Sequence, residues 1–244
     1  MKLSVIIPVY NEKLLIREII SRCLEAPLPE EFTDREIIVV DDGSSDGTTE
    51  LLKKQKFGEL VKIHHSYVNH GKGCALRVGF KICTGDVIII QDGDLEYDPL
   101  INYRILLMPF TARKDCLVVF GSRFLTHWWP RGMRLPNLFA NYVLTIITRF
   151  LYGYRISDEA TCYKVFRREI LKRFTFYSRG FEFCPEFTAK IIRSGIIIKE
   201  VPIQYNGRSQ LTGKKIKVWD GFIALWILFK FRIKPNLRKN EFIG

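Results

Sequence analysis

Short apolar runs alternate with helical stretches through the first half of the chain, and this alternation restricts the folds that it can adopt. The predicted strands and helices, in order, are residues 3–7, 12–24, 36–40, 46–56, 61–64, 72–83, 86–90, 98–108 and 116–120. Strands that alternate with helices build βαβ units around a parallel sheet. The runs are apolar almost throughout, as expected where helices cover both faces of the sheet. The pattern predicts a Rossmann-like α/β half up to about residue 125.

The second half of the chain has a different pattern. Its predicted elements are a helix at 137–151, a short strand at 164–166, a helix at 183–194 and a strand at 196–203. We interpret residues 126–213 as a mixed half added to the sheet of residues 1–125, and residues 214–244 as a basic, apolar tail. With 244 residues, 47% hydrophobic content and no internal linker, the chain is predicted to form one α/β domain over 1–244.

The formal net charge of +12 indicates anionic partners, which could be nucleic acid, an acidic membrane or phosphorylated substrates. Composition alone does not choose among them. Basic residues are dense in the last third of the chain, but neither an RNP-like aromatic strand nor a Cys/His finger accompanies them. Nucleic acid is therefore not expected as a partner.

The opening residues MKLSVIIPVYNE are apolar only briefly and lack a small-residue cleavage site. We interpret them as a first strand and expect a cytoplasmic protein. The six cysteines show no CxxC spacing, so reduced thiols are expected. Cys162 and Cys184 are interpreted as packing residues because the sequence implies no basic partner near them.

The segment Phe222–Phe229 reads FIALWILF and is flanked by basic residues such as Lys217 and Lys230. This run is too short to span a bilayer, which takes roughly 20 apolar residues. Two interpretations stay open. The segment either lies on an anionic membrane surface, with tryptophan and basic side chains at the headgroups, or forms a helix that packs on the sheet.

Polar clusters follow the ends of the predicted strands, where open α/β sheets bind their ligands. These clusters are Pro8–Glu12, Asp41–Ser44, Gln91–Glu96 and Gly121–Arg123. In the third cluster, Asp92, Asp94 and Glu96 would point the same way if the strand continued. Three oxygen ligands suit Mg²⁺ or Mn²⁺ together with substrate phosphates.

Spacing excludes three familiar sites. Gly71-Lys72-Gly73 continues to Leu76 where a dinucleotide fingerprint needs glycine, and it lacks the ending of a P-loop. Lys53 stands where a calcium loop that starts at Asp42 needs a glutamate.

The segments SVIIPVYNE, IIVVDDGSSDGT, GKGCALRVGF, GDVIIIQDGDLEYDP and VVFGSRF stand in an order that resembles family 2 glycosyltransferases of the GT-A fold. The resemblance is closer to the dolichyl-phosphate mannosyltransferases and related polyprenyl-phosphate sugar transferases. It continues through Ile156–Glu169, Gly180–Phe183 and Glu200–Ile203 to Arg208 and Lys214, and so covers nearly the whole chain.

The resemblance implies an inverting, metal-dependent transfer of a hexose from a nucleotide sugar onto a polyprenyl phosphate, on the cytoplasmic face of an anionic membrane. GDP-mannose is the favoured donor, followed by a UDP-sugar. The nucleotide-sugar-binding positions that it implies are Pro8, Tyr10, Glu12, Val40, Asp42, Lys72, Asp92, Gly93, Asp94, Arg208 and Lys214, with Lys215 as the alternative to Lys214. Asp92, Asp94 and Glu96 are the implied ligands of Mg²⁺ or Mn²⁺, which would neutralise the leaving diphosphate.

Arg123 matches a family arginine that meets the acceptor or donor phosphate, and either Arg131 or Arg134 is expected as a second. Arginine suits phosphate because its planar fork makes two bonds. In the alternative reaction, the donor is a UDP-sugar and the acceptor is a sugar hydroxyl. A carboxylate must then remove the proton of that hydroxyl, and Asp158 and Glu159 are the candidates. The predicted catalytic set is thus Asp92, Asp94, Arg123 and, in the alternative, Asp158.

Two other classes of protein are disfavoured. A nucleotide-sugar pyrophosphorylase is expected to have a glycine-rich first loop with a basic residue, and this chain has PVYNE instead. A membrane-bound scaffold without activity is not expected to contain a complete set of acidic metal ligands such as Asp92, Asp94 and Glu96.

Overall fold

A computed structural model describes residues 1–207 and 218–233, and in this part of the chain seven strands form one sheet flanked by helices. The strands are β1 (Lys2–Val9), β2 (Asp34–Asp42), β3 (Val61–Ser66), β4 (Val87–Ile90), β5 (Val118–Ser122), β6 (Lys164–Arg167) and β7 (Ile198–Pro202). The helices are α1 (Ile16–Glu25), α2 (Thr48–Lys54), α3 (Lys72–Ile82), α4 (Pro99–Ala112), α5 (Leu135–Tyr152), α6 (Glu169–Arg173), α7 (Phe183–Arg193) and α8 (Val218–Ile233). Each strand and helix predicted from the sequence is present, and α6 is an addition.

The strand order is β3-β2-β1-β4-β6-β5-β7. β1 pairs in parallel with β2 and β4, β2 with β3, and β5 with β7. β6 alone among the described strands runs antiparallel to its neighbours, β4 and β5. The prediction of a mostly parallel sheet with a mixed second half is confirmed. Because β2 and β4 lie on opposite sides of β1, the topological switch point, where such sheets bind ligands, lies between β1 and β4.

The helices pack closely on the sheet and position the loops at this switch point. Ile6 of β1, Ile38 of β2 and Ile89 of β4 are fully buried. Gly79 of α3 faces Ile6 so closely that a Cβ on it would come within 2.5 Å of the Ile6 Cγ2 atom. Glycine therefore lets α3 approach β1, and this fixes the start of α3 beside the carboxyl ends of the strands.

The apolar tail segment lies in α8, which packs on α5 and α7. Ala224, Ile227 and Leu228 are buried on its inner side. The Tyr152 hydroxyl from α5 donates to the Leu228 carbonyl oxygen at 2.6 Å, and Arg193 from α7 donates to a second carbonyl oxygen of α8. The interpretation as a packed helix is correct for this inner side, but the main contacts of α8 are with helices α5 and α7 and not with the sheet.

The outer sides of α5 and α8 expose many large apolar residues. These residues, with two from the loop before α5, are Trp128, Trp129, Leu135, Phe139, Ile146, Phe150, Trp219, Phe222, Ile223, Trp226, Phe229 and Ile233, and we call them the apolar face. Among the described residues, no helix has both the length and the hydropathy needed to cross a membrane.

Candidate active site

The loop after β1 and the loop after β2 are tied together by hydrogen bonds. Asn11, in a left-handed conformation with φ of 53°, donates its backbone N–H to Ser44 Oγ at 2.9 Å and accepts the Ser45 N–H at 2.8 Å. The Glu12 N–H donates to Thr48 Oγ1 at 3.0 Å. The two sequence motifs predicted to bind the nucleotide therefore form one continuous rim.

The predicted nucleotide-binding residues on these two strands differ in exposure. Pro8 and Val40 lie opposite each other in the parallel ladder, and Pro8, Tyr10 and Glu12 are partly exposed. Val40 is fully buried. Its side chain belongs to the core of the sheet, so the structure does not place that side chain at the surface of the site.

Asp42 connects this rim to the start of α3. Its Oδ1 accepts the His70 N–H at 3.0 Å, and its Oδ2 accepts the Gly71 N–H at 2.7 Å. Burial raises the pKa of the Asp42 carboxyl, and the two hydrogen bonds offset this only in part. The anchored backbone leads directly into Lys72, the first residue of α3.

Lys72 forms an ion pair with Asp92 of the D-x-D motif. Its Nζ atom lies 2.5 Å from Asp92 Oδ1 and 5.7 Å from the centre of the Phe181 ring. Burial lowers the pKa of Lys72, but the charge of Asp92 more than offsets this effect, and the pKa ends above its ordinary value. The ammonium stays charged and holds Asp92 in place.

Lys72 also lies beside a cysteine, which corrects one interpretation of the sequence. Its Nζ atom is 3.7 Å from Cys162 Sγ, so a basic partner is present where none was implied. Burial nevertheless raises the pKa of the Cys162 thiol well above its ordinary value, and Asp92 raises it further. The thiol stays protonated, and all six cysteines are unpaired with one another.

Asp94 and Glu96 lie on residues 91–98, between β4 and α4, which we call the acidic loop. The loop turns instead of continuing the strand, with Leu95 at a φ of 52°. The alternation that would have aligned the three carboxylates therefore does not apply. Asp94 Oδ1 accepts the Glu96 N–H at 3.2 Å, and Glu96 Oε2 accepts the Tyr205 hydroxyl at 3.0 Å.

The described residues contain no group of three His, Cys, Asp or Glu side chains that is already arranged to hold a metal. The predicted set of three ligands is therefore not assembled, and Asp92 is engaged with Lys72. Carboxylate oxygens such as those of Asp94 and Glu96 still suit Mg²⁺ and Mn²⁺. Mg²⁺ usually binds one or two carboxylates and completes its shell with water and substrate phosphates, so these residues fit a metal that binds together with its nucleotide.

Arg123, the first residue after β5, forms a buried two-bond ion pair with Asp158. Its Nε and Nη2 atoms lie 2.7 and 2.6 Å from the two carboxylate oxygens. Asn141 of α5 donates to the same carboxylate at 2.9 Å. Burial raises the pKa of Asp158, but the charge and hydrogen bonds of Arg123 outweigh burial, and the pKa ends below its ordinary value. Asp158 is therefore a fixed anion.

The second candidate base, Glu159, is fully buried, as Asp158 is. Neither carboxylate oxygen of Glu159 has a hydrogen-bond partner among the described residues. The nearby ammonium of Lys164 donates instead to the carbonyl oxygens of Glu159 and Thr161. Burial raises the pKa of Glu159, and Lys164 offsets this only in part. The geometry therefore presents neither carboxylate to an acceptor hydroxyl.

Aromatic rings that the sequence analysis did not single out surround the Arg123 guanidinium. Its Cζ atom lies 5.4 Å from the centre of the Tyr205 ring, 5.7 Å from Phe124 and 6.0 Å from Tyr97. These contacts and Asp158 leave Arg123 only 9% exposed. A tyrosine near a strand end carries no motif of its own, so the sequence offered no signal for Tyr97 or Tyr205.

The other predicted phosphate-binding residues lie elsewhere. Arg131 and Arg134 are exposed on residues 124–134, between β5 and α5, which we call the arginine loop. The structure thus separates them by burial from Arg123. The predicted residues Arg208 and Lys214 lie outside the described residues.

Comparison with known proteins places this chain in a family. The profile of glycosyl transferase family 2 matches residues 4–175. The polyprenol monophosphomannose synthase of Mycolicibacterium smegmatis is 30% identical over 234 residues, which cover 91% of this chain and 85% of that protein. The dolichol-phosphate mannosyltransferase of Pyrococcus furiosus is 30% identical over 259 residues, which cover 99% of this chain and 71% of that protein.

Solved structures share the fold at lower identity. Glucosyl-3-phosphoglycerate synthase from Mycobacterium tuberculosis, in complex with Mn²⁺, UDP and phosphoglyceric acid, aligns with a TM-score of 0.70 at 20% identity, covering 96% of this chain and 80% of that one. Mannosyl-3-phosphoglycerate synthase from Rubrobacter xylanophilus aligns with a TM-score of 0.67 at 19% identity, covering 95% of this chain and 72% of that one. These neighbours have the GT-A fold. With that fold and a profile match over most of its length, the chain belongs to glycosyl transferase family 2 and is a glycosyltransferase.

Proposed function

We propose that this enzyme transfers a hexose from a nucleotide sugar to a polyprenyl phosphate, and the buried Arg123–Asp158 pair is the observation that carries this proposal. A sugar-hydroxyl acceptor must lose a proton to a base. Asp158 is occupied by Arg123 and Asn141, and Glu159 is buried away from solvent. A phosphate acceptor is already anionic and needs no base. The names of the two relatives support the same class of acceptor.

In the proposed reaction, an oxygen of the acceptor phosphate attacks the anomeric carbon, and the bond from that carbon to the nucleoside diphosphate breaks. The bonding electrons leave with the diphosphate, no proton is transferred, and a single displacement inverts the configuration. A bound Mg²⁺ or Mn²⁺, held by Asp94 and Glu96, would supply Lewis-acid stabilisation of the diphosphate. Lys72 positions Asp92 and keeps a positive charge on the donor side.

The acceptor phosphate is assigned to the arginines that follow β5. Arg131 and Arg134 are exposed on the arginine loop and can reach a ligand from solvent. Arg123 is held by Asp158 at the start of this loop. A guanidinium can bind a phosphate through two parallel hydrogen bonds, which a lysine cannot do.

The proposed donor is GDP-mannose, because both relatives are named for mannose transfer. The solved structures with UDP share only the fold with this chain, at about 20% identity. A UDP-sugar is therefore the second candidate donor.

We also propose that the apolar face lies on the cytoplasmic surface of an anionic membrane, where a polyprenyl phosphate would be found. Its exposed aromatic residues include Trp128 and Trp226, and tryptophan is favoured at the membrane–water interface. Lys230 and Arg232 lie on α8, so this helix combines apolar and basic side chains as interfacial helices do.

The test is a transfer assay with Mn²⁺, GDP-mannose or UDP-glucose as donor, and a polyprenyl phosphate or 3-phosphoglycerate as acceptor. We expect transfer to the polyprenyl phosphate, with GDP-mannose as the better donor. Transfer to 3-phosphoglycerate from UDP-glucose, without transfer to the lipid, would replace this proposal with the hydroxyl-acceptor alternative. The anomeric configuration of the product, read by NMR, tests inversion.

A further inference from the structure

The residues that follow β7, 203–207, begin at a fixed point in the fold. The Ile203 N–H donates to the Ser122 carbonyl oxygen at 3.1 Å, which continues the pairing with β5. The side chain of Asn102, from α4, accepts the Gln204 N–H at 2.8 Å and donates to the Gln204 carbonyl oxygen at 3.0 Å. Asn102 is buried, so it holds the start of this segment rigidly.

The same segment then contacts the acidic loop. The Tyr205 hydroxyl donates to Glu96 Oε2 at 3.0 Å, and the Asn206 N–H donates to the Glu96 carbonyl oxygen at 2.9 Å. The Tyr205 ring packs 5.3 Å from the Tyr97 ring. One side of the segment is thus attached to a predicted metal ligand.

The segment ends against the arginine loop. The Gly207 N–H donates to the Arg131 carbonyl oxygen at 3.1 Å. A Cβ on Gly207 would lie 2.3 Å from the Gly132 carbonyl oxygen, and Gly132 has a φ of 75°. The two backbones therefore touch with no room for a side chain, and the position of Gly207 sets the position of the residues beside Arg131.

We propose that residues 203–207 couple the two substrate sites, so that a nucleotide and a metal bound at the acidic loop increase the affinity of the arginine loop for the acceptor phosphate. This inference rests on the proposed function. Because Asn102 fixes the start of the segment, a shift of Glu96 moves Tyr205 and the residues after it, and Gly207 passes that movement to Arg131. Tyr205 is then a positioning residue that contacts neither the sugar nor the reacting atoms.

Coupling of this kind is a free energy shared by two sites, and it is reciprocal. The donor should tighten acceptor binding by the same factor as the acceptor tightens donor binding. A residue that only stabilises the fold would change both affinities without changing this factor. The factor therefore separates coupling from a merely structural role.

The test measures binding of geranyl phosphate by calorimetry, with and without saturating Mn²⁺ and GDP, and in a separate arm with Mn²⁺ and UDP. For the wild type we expect the nucleotide to tighten binding of geranyl phosphate by about fivefold or more. In Tyr205→Phe, which loses only the hydroxyl, the nucleotide should still bind but the factor should fall towards one. Tyr152→Phe, which loses a hydroxyl that bonds α8, is the matched control and should keep the factor.

Hydrogen exchange gives a second measurement that needs no acceptor. Mn²⁺ with the nucleotide should slow exchange in residues 124–134 of the wild type, and this slowing should be lost in Tyr205→Phe and in Gly207→Ala. If the nucleotide binds but leaves both exchange and the affinity for geranyl phosphate unchanged, the coupling is overturned and the proposed function stands. If neither GDP nor UDP binds the wild type, the proposed function fails and this inference fails with it.

Discussion

The ammonium of Lys72 and the carboxylate of Asp92 lie 2.5 Å apart, and this ion pair joins the start of α3 to the end of β4. Lys72 is 13% exposed and Asp92 23% exposed, so water screens the pair only in part. An ammonium group is thus present beside the proposed donor site, and Asp92 neutralises it.

Breaking this pair should destabilise the protein as well as inactivate it. In Asp92→Asn, the Lys72 ammonium is left without its partner, which should lower the free energy of unfolding by roughly 1–3 kcal/mol. Adding Lys72→Met should restore much of that stability but no activity. Urea unfolding and transfer assays on the two single variants and the double variant would check this. A double variant less stable than Asp92→Asn would contradict it.

Loss of Asp94 should affect the reaction without affecting the fold. If Asp94 holds the metal against the diphosphate, Asp94→Ala at saturating Mn²⁺ should lower turnover by about 10² or more, the scale for losing one electrostatic stabiliser. Treatment of the wild type with EDTA should abolish transfer, and Mn²⁺ should restore it. Asp115→Ala, which removes an exposed carboxylate, is the control. Turnover near the wild-type value in Asp94→Ala would remove Asp94 from the metal site.

Asp158 should matter for stability because it neutralises a buried guanidinium. In Asp158→Asn, Arg123 keeps its charge but loses its counter-ion, which should cost about 3–5 kcal/mol of stability. Chemical denaturation measures this directly. A base acting on a sugar hydroxyl would give the opposite result, in which Asp158→Asn folds as stably as the wild type and only turnover is lost.

Glu159 should make folding stability depend on pH. Burial raises its pKa in the folded state, whereas in the unfolded chain the pKa should be about 4.3. The folded state then binds more protons, so the contribution of Glu159 is fully present below the unfolded pKa and is lost as pH rises through the folded pKa. Glu159→Gln should therefore gain stability relative to the wild type as pH rises above about 4.3, the unfolded pKa. Glu30→Gln, at an exposed position, is the control, and parallel stability curves for Glu159→Gln and the wild type would contradict the prediction.

The apolar face should bind membranes. Trp226→Ser and Phe150→Ser, on adjacent helices, should each weaken flotation with anionic vesicles, because each removes an exposed aromatic ring from the proposed contact. Binding should also fall as salt rises, since attraction to the surface is screened over about 8 Å at physiological ionic strength. Ile101→Ser, an exposed apolar position on α4, is the matched control. Equal flotation of all three variants would place the membrane contact elsewhere.

Much of the fold could be predicted because its strands are continuous apolar runs. Residues such as Ile38 and Ile89 are buried on both faces of the sheet, so hydropathy alone marks β2 and β4. The polar strand ends also identified the rim around Asn11 and the acidic loop. These features depend on neighbouring residues, which a single sequence displays directly.

The rest of the site depends on contacts between distant residues. Lys72 and Asp92 belong to different motifs, and nothing local to either one predicts their ion pair. The same holds for Tyr205 and Glu96, which are far apart in the sequence but share a hydrogen bond. Alternation would align the three carboxylates only if β4 continued, and a turn at Leu95 replaces the strand there.

The antiparallel strand β6 has a consequence for how the protein is made. On one side of β4, Val87, Ile88 and Ile89 pair with residues 165–167 of β6, which come much later in the chain. During synthesis, the first 125 residues therefore emerge before this edge of β4 can be paired. Unpaired apolar strand edges promote aggregation. Residues 1–125, the proposed nucleotide-binding half, should not fold as an exchangeable module, and a gene truncated before residue 164 should yield an insoluble product.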